Sequence, residues 1–277
     1  MFEQDFIRCQ DYEVHVRVWN RNAKKTVICW HGLARTGADF TELAESLAHQ
    51  GFRVLAPDTI GRGLSQWADN ASTYEVPVYL NHAQSICEYY QVESCTWVGT
   101  SMGGIIGMVA ATSVLKDKID RLVINDIGPE IPSAALTRIV EYVSDFPAFE
   151  TLSSFECRIR ELYAPFGERS EQQWHQMAQQ CSRRLDNGQF VSHYDPKIVQ
   201  QFDPSKPPVT LWGLFEMIEC PLMLVHGLDS DVLTEGIVDK MQAVKPNMHY
   251  LPVKGCGHAP GLHTKKQITP VADFISS

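Results

Sequence analysis

Gly99-Thr100-Ser101-Met102-Gly103 sets a serine between two glycines in the order Gly-x-Ser-x-Gly. The string alone is weak, because a chance match is expected in roughly one chain of this size in ten. Its surroundings give it weight: it follows a predicted strand and opens a segment that is apolar nearly all round, through Ile105, Ile106, Met108 and Val109. In that context the glycines permit a tight strand-to-helix turn that lifts the serine hydroxyl clear of a sheet. A serine hydroxyl is a poor nucleophile at neutral pH. It needs a base within hydrogen-bond reach and a carboxylate that holds the base in the right tautomer. Gly255-Cys256-Gly257-His258 supplies the base, on a glycine-rich loop after the last predicted strand. Of the ten histidines, only His258 combines that position with a late place in the chain after a carboxylate, whereas His49 and His175 fall on helices and read as surface residues. Three carboxylates compete for the third role. Asp229 and Asp231 follow the strand Leu222 to Val225, and Asp126 follows the strand before it. Asp126 reads as a structural group bonding the Gly128-Pro129 turn.

Attack on a carbonyl places negative charge on its oxygen, and two preorganised backbone N–H donors at that point lower the barrier strongly. Met102, directly after the serine, is expected to supply one donor. The loop after the strand Thr26 to Trp30 is expected to supply the other, from Leu33 in Trp30-His31-Gly32-Leu33. His31 reads as structural.

These residues need a scaffold that brings distant loops together. Short runs rich in β-branched and aromatic residues recur at Val14 to Trp19, Thr26 to Trp30, Phe52 to Ala56, Cys95 to Val98, Leu122 to Ile124, Leu222 to Val225 and His249 to Val253. Helical periodicity lies between them, over Phe40 to His49, Val78 to Tyr89, Met102 to Val114, Val232 to Val244 and Lys266 to Ile275. Strand alternating with helix predicts an α/β fold with a mostly parallel sheet covered on both faces. One interval is too long: about ninety residues separate the Leu122 and Leu222 strands, where a crossover needs roughly thirty. Residues 131–211 are therefore expected to form a helical cap, with helices over Ala134 to Val143, Phe155 to Leu162 and Gln172 to Arg183, and residues 1–130 and 212–277 the core. Gly128-Pro129 and Pro132 open the excursion, and Pro204, Pro207 and Pro208 close it.

Composition narrows the function classes. The 277 residues are 44% hydrophobic and 21% charged, as in ordinary globular chains, and the net charge is −9. Phosphate contacts need clustered Lys and Arg, so nucleic acid is not expected as a partner. No stretch of eighteen apolar residues occurs, and Met1 to Gln10 carry acids without an apolar run of signal-peptide length. No membrane association is expected. The eight cysteines lack a C-x-x-C pair and several sit inside apolar runs. Buried thiols suit a reducing, cytoplasmic setting. The Gly61-Arg62-Gly63 turn lacks the last glycine of G-x-G-x-x-G, where Gln66 stands, and there is no Walker lysine motif. No cofactor and no metal are expected.

His31-Gly32, the Asp58-x-x-Gly61-x-Gly63-x-Ser65 stretch, the serine turn, the loop after Val225 and Gly257-His258 occur in the order found in the α/β-hydrolase superfamily, which the chain resembles over essentially its whole length. The resemblance implies an eight-stranded α/β-hydrolase sheet, acyl-enzyme chemistry at Ser101 and no cofactor. The order glycine, two residues, serine, aspartate in Gly227 to Asp231 resembles a recurrent acid loop of that fold. It points to Asp231 as the orienting acid and puts Asp229 outward on the turn. Within the superfamily the chain is similar to capped single-chain esterases, lactone hydrolases and carbon–carbon bond hydrolases. Haloalkane dehalogenases and epoxide hydrolases use an aspartate where this chain has Ser101. Carboxylesterase action on a small-molecule ester is the expectation. A lactonase or carbon–carbon bond hydrolase acting on a small keto acid or enol-lactone is the alternative, and a non-catalytic ligand-binding member of the fold is the second. Phe146, Tyr163, Phe166 and Trp212 are candidate walls of a mostly apolar pocket for small to medium acyl groups. Arg35, two residues past Leu33, either clamps a substrate carboxylate or pairs with an acid of the protein such as Asp39. Oligomeric state is not legible in the sequence.

Overall fold

The computed structural model describes residues 1–202 and 210–277. In chain order its elements are β1 (Glu3–Cys9), β2 (Tyr12–Trp19), β3 (Thr26–Trp30), α1 (Thr41–His49), β4 (Arg53–Pro57), α2 (Val76–Tyr89), β5 (Cys95–Thr100), α3 (Met102–Ala110) and β6 (Ile119–Asn125). Then follow α4 (Ser133–Ser144), α5 (Leu152–Tyr163), α6 (Glu171–Cys181), β7 (Ser182–Arg184), β8 (Phe190–Ser192) and α7 (Trp212–Met217). The chain closes with β9 (Leu222–Gly227), α8 (Glu235–Val244), β10 (His249–Val253) and α9 (Lys265–Ser276). Eight strands form one sheet in the order β1-β2-β4-β3-β5-β6-β9-β10, with β2 antiparallel to both its neighbours and the rest parallel.

The central strands read as unbroken apolar runs because both faces are covered, and period-2 alternation still sorts their side chains. In β3, Ile28 and Trp30 join the core beneath α2, α3 and α8, while Val27 and Cys29 join the core beneath α1 and α9. β1 is absent from the expected strands because it is an edge: Glu3, Gln4 and Phe6 are exposed, and only Ile7 and Cys9 are buried. α3 stops at Ala110 rather than Val114, where the Thr112 hydroxyl donates to the Met108 carbonyl and the Ser113 hydroxyl to that of Val109. Such back-bonding competes with the helical ladder.

Between β6 and β9 the chain leaves the sheet. Phe155, Ile159 and Tyr163 of α5 pack on Trp174, Met177 and Ala178 of α6 in a core of their own. The expected helix to Arg183 ends at Cys181, because Asp186-Asn187-Gly188, with Gly188 at φ 87°, turns the chain back and pairs β7 with β8. Pro204, Pro207 and Pro208 lie outside the described residues. Among the described residues, no helix is long and apolar enough to cross a membrane. The sequence positions that follow β3, β5, β6 and β10 all leave the same edge of the sheet, where parallel α/β folds place their clefts.

Candidate active site

Ser101 is the residue between β5 and α3, held at φ 52° and ψ −114°. A non-glycine residue in that region is strained and persists only where its surroundings determine it. Here they do. The Ser101 N–H donates to the Asn125 carbonyl at 2.9 Å, and the Ser101 carbonyl accepts from Gly104 at 2.8 Å. The flanking glycines are required by close approach: a Cβ at Gly99 would overlap the Gly103 backbone, and one at Gly103 would overlap the Trp30 carbonyl. Behind the turn Trp30 and Trp97 stack with centroids 5.2 Å apart, and the Trp97 indole N–H donates to the Gly103 carbonyl at 2.9 Å.

His258 Nε2 lies 2.7 Å from Ser101 Oγ, and its Nδ1 lies 2.9 Å from Asp126 Oδ2. With Asp126 ionised, Nδ1 carries the proton and Nε2 is free to accept from the serine. Asp126 is fully buried at the end of β6, next to the strand that ends in the serine. Its Oδ1 accepts from the Gly227 N–H at 2.7 Å and its Oδ2 also accepts from the Ser230 hydroxyl at 2.6 Å. The loop after β9 thus serves the site by gripping the carboxylate of its neighbour. The expected position of Asp231 is corrected: its side chain is 51% exposed and pairs with both Nε and Nη2 of Arg138, at 2.7 and 2.8 Å. Ser230 turns inward, which sends its neighbour Asp231 outward. Asp126 does not bond the Gly128-Pro129 turn as expected but takes the place assigned to Asp231.

The loop carrying His258 is fixed from two sides. Asn125, fully buried, donates through Nδ2 to the Pro260 carbonyl at 2.8 Å and to Thr100 Oγ1 at 2.9 Å. From the inserted segment, the Pro165 carbonyl accepts from the Gly257 N–H at 2.7 Å and the Phe166 carbonyl from the Cys256 thiol at 2.8 Å. The Phe166 ring meets the His258 ring nearly at right angles, 6.3 Å between centroids.

Leu33 and Met102 both border the cavity that Ser101 opens into. The Gly32–Leu33 peptide is held by its carbonyl, which accepts from His31 Nδ1 at 2.7 Å and from the Arg35 N–H at 3.2 Å. Its N–H must therefore point the other way. His31 Nε2 accepts from the Thr59 N–H at 2.8 Å. Both ring nitrogens are used by the neutral form, and burial pushes the His31 pKa down to about 4 against the pull of Asp58. His31 is structural, as expected. Asp58 anchors the neighbouring loop: it accepts from Gly37 and Leu64 N–H groups, from His15 and from Arg17. Burial opposes its charge, but the His15 hydrogen bond and Arg17 hold its pKa below the usual carboxylate range.

The cavity measures about 1430 Å³. Pockets for small ligands commonly span about 300–1,000 Å³, so the space exceeds what small acyl groups need. Tyr163 and Phe166 line it, with Ile105, Leu136, Val140 and Tyr142. Phe146 and Trp212 do not: Phe146 packs edge-on against Tyr194, and Trp212 packs on Phe215 and donates its indole N–H to Glu130. Arg35 reaches the cavity wall but is committed. Two of its nitrogens bond Asp39, the third bonds Cys181 Sγ at 2.8 Å, and the guanidinium lies 4.7 Å over the Tyr163 ring. Among the described residues, no group of three His, Cys, Asp or Glu side chains is arranged to hold a metal ion.

The family model described as alpha/beta hydrolase fold matches residues 25–262. The chain belongs to the α/β-hydrolase fold family. It is 33% identical over 261 residues to a 3-hydroxybutyrate-oligomer hydrolase of Cupriavidus necator, covering 91% of this chain and 88% of that protein. An esterase of Escherichia coli is 22% identical over 86% of this chain and 88% of its own length. An alpha/beta hydrolase from Novosphingobium aromaticivorans superposes with a TM-score of 0.89 at 29% identity, over 99% of this chain and 98% of that one. In this α/β-hydrolase the groups that sequence reasoning missed are Asn125, Ser230 and the role of Asp126. The sequence carried a partial signal for Asp126, which follows a predicted strand and satisfies the order serine, acid, histidine, as the Gly227 to Asp231 loop also does.

Proposed function

We propose that the chain is a carboxylic ester hydrolase that acts through an acyl-enzyme on Ser101. The observation that carries this reading is the unbroken run of hydrogen bonds from Ser101 through His258 to Asp126, opening on a cavity. In the reaction His258 Nε2 takes the Ser101 proton as Oγ bonds to the ester carbonyl carbon. The tetrahedral oxyanion sits at the Leu33 and Met102 N–H groups. Collapse breaks the bond to the leaving alkoxide, which takes the proton from Nε2. Water repeats the cycle on the acyl-enzyme and releases the acid. The described residues of the segment 131–211 act as a cap that walls the cavity. The cavity volume favours an extended ester over a short acyl group, so oligoesters of a hydroxy acid are the first class to try, as the relative from Cupriavidus necator suggests.

The test uses a fluorophosphonate probe with a panel of p-nitrophenyl esters, lactones, diketone acids and 3-hydroxybutyrate oligomers. Probe labelling of the wild type and none of Ser101→Ala are expected, with turnover falling at least about a thousandfold in the variant. A folded Ser101→Ala chain that kept more than that residual rate would exclude the acyl-enzyme. Preferential turnover of diketone acids would favour carbon–carbon cleavage.

A further inference from the structure

Arg169 stands on the turn before α6 and borders the same cavity as Ser101. Unlike Arg35, it is uncommitted. Its Nε is buried without a hydrogen-bond partner, and among the described residues it makes no ion pair. Two acids are near it: Asp39, which Arg35 already engages, and Glu42, which acts on it only at longer range. Arg35 adds a like charge, and Cys181, Cys256 and His263 are further ionisable neighbours. Arg169 is half-buried with its Nε enclosed, and a guanidinium partly withdrawn from water and left unpaired is costly, since proteins ordinarily pair such a group or hydrogen-bond it. One that faces a ligand cavity in this state is complementary to an anion that arrives there.

The surroundings hold the guanidinium in place. It lies over the Trp174 ring, 5.8 Å from the centroid. Gly261, three residues past His258, leaves the space it needs: a Cβ there would come within 2.8 Å of Arg169 Nη2 and would overlap His263 Nδ1. His263 donates through Nε2 to the Glu168 carbonyl at 3.2 Å, so in its neutral form Nδ1 is a lone-pair acceptor, and it too is buried without a partner. Burial, and next the charge of Arg169, lower the His263 pKa. Arg169 therefore supplies the cation at this end of the cavity.

We propose that Arg169 is the specificity-determining residue that anchors a free carboxylate of the substrate, so that the preferred esters are those of chains ending in an acid, with the ester carbonyl at Ser101 and the carboxylate on the guanidinium. The proposal rests on the ester-hydrolase reading and adds the charge of the substrate to it. Paired N–H donors suit a carboxylate better than a neutral carbonyl, and charge assistance roughly doubles the strength of each bond.

The experiment compares the linear dimer of 3-hydroxybutyrate as the free acid with its methyl ester. In the wild type kcat/KM is expected to favour the acid. Arg169→Gln is expected to lower the acid-to-ester ratio at least tenfold, chiefly through KM, and Arg169→Lys to restore part of it. Raised NaCl is expected to lower the ratio in the wild type. The same pair is titrated calorimetrically into Ser101→Ala with and without Arg169→Gln, which reads the anchor without any chemistry. Wild-type failure to cleave either compound, with acid-selective binding that Arg169→Gln abolishes, would sink the hydrolase reading and leave the anchor standing. A ratio and a binding preference that Arg169→Gln leaves intact, or that Arg35→Gln removes instead, would overturn the anchor.

Discussion

Replacing Asp126 by Asn is nearly isosteric, and the structure fixes how the new amide must sit. The position of Oδ1 faces the Gly227 N–H at 2.7 Å, while that of Oδ2 faces His258 Nδ1 and the Ser230 hydroxyl. An NH2 at the Oδ1 position would oppose the Gly227 N–H, donor against donor, in a fully buried site, which costs about 1–3 kcal/mol. The amide therefore turns its NH2 toward His258. Nδ1 must then accept, the imidazole proton moves to Nε2, and the ring can no longer take the Ser101 proton. In the serine-protease precedent this change of tautomer lowers kcat by about 10⁴, or about 5 kcal/mol of barrier. The same loss is expected for Asp126→Asn in hydrolysis of p-nitrophenyl esters, with near-native circular dichroism. Asp231→Asn removes only an exposed pair with Arg138, which contributes about 0–1 kcal/mol, so its rate should stay within about threefold of wild type. The reasoning fails if Asp231→Asn is the more damaging change, or if a folded Asp126→Asn chain keeps a tenth of the activity.

Two further substitutions test the scaffold. Gly99→Ala drives a Cβ into the Gly103 backbone, which has no flexible end to yield, and should cost about 3 kcal/mol in urea unfolding, whereas Gly236→Ala meets nothing within 4 Å and should be neutral or stabilising. Stability should also fall with acid. His82 is buried with both ring nitrogens unpartnered, and burial pushes its pKa from 6.5 down to about 4. Between those values the unfolded chain binds more protons than the folded one, so the stabilisation is present above about pH 6.5 and is lost as pH falls toward 4. From pH 7.5 to 5 the loss from this one histidine is about 2 kcal/mol. His82→Leu should flatten the measured slope by that amount, and an unaltered slope would show that His82 does not contribute.

Local pattern carried the serine, the histidine and the sheet. Gly99 to Gly103 and Gly257-His258 are legible because close backbone approach demands glycine at fixed offsets, and β3 because both its faces are apolar. The acid was not legible, because Asp126 and the Gly227 to Asp231 loop both follow a strand and both precede His258. Only the sheet order, with β6 between β5 and β9, decides which of them reaches the imidazole. Phe146 and Trp212 were misplaced for a related reason. Phe146 lies just past the end of α4 and Trp212 opens α7, and the presence of an aromatic there does not say whether it faces the cavity or a neighbour such as Tyr194 or Phe215. β1 escaped because an exposed edge strand carries few apolar residues. Arg35 showed its charge in the sequence, and its engagement by Asp39 was the open alternative that the structure supports.

The two bonds from the inserted segment to the His258 loop tie that segment to the imidazole's support. An excursion of Pro165 and Phe166 wide enough to admit a bulky ester past that side breaks the bonds to Gly257 and Cys256, on the stretch that aims His258. That would remove one of the two sides that fix the loop, while Asp126 and the bond from Asn125 to the Pro260 carbonyl keep the other. The aim of the imidazole is thus shared between the sheet and the inserted segment, so a change at Pro165 or Phe166 reaches His258 through two bonds.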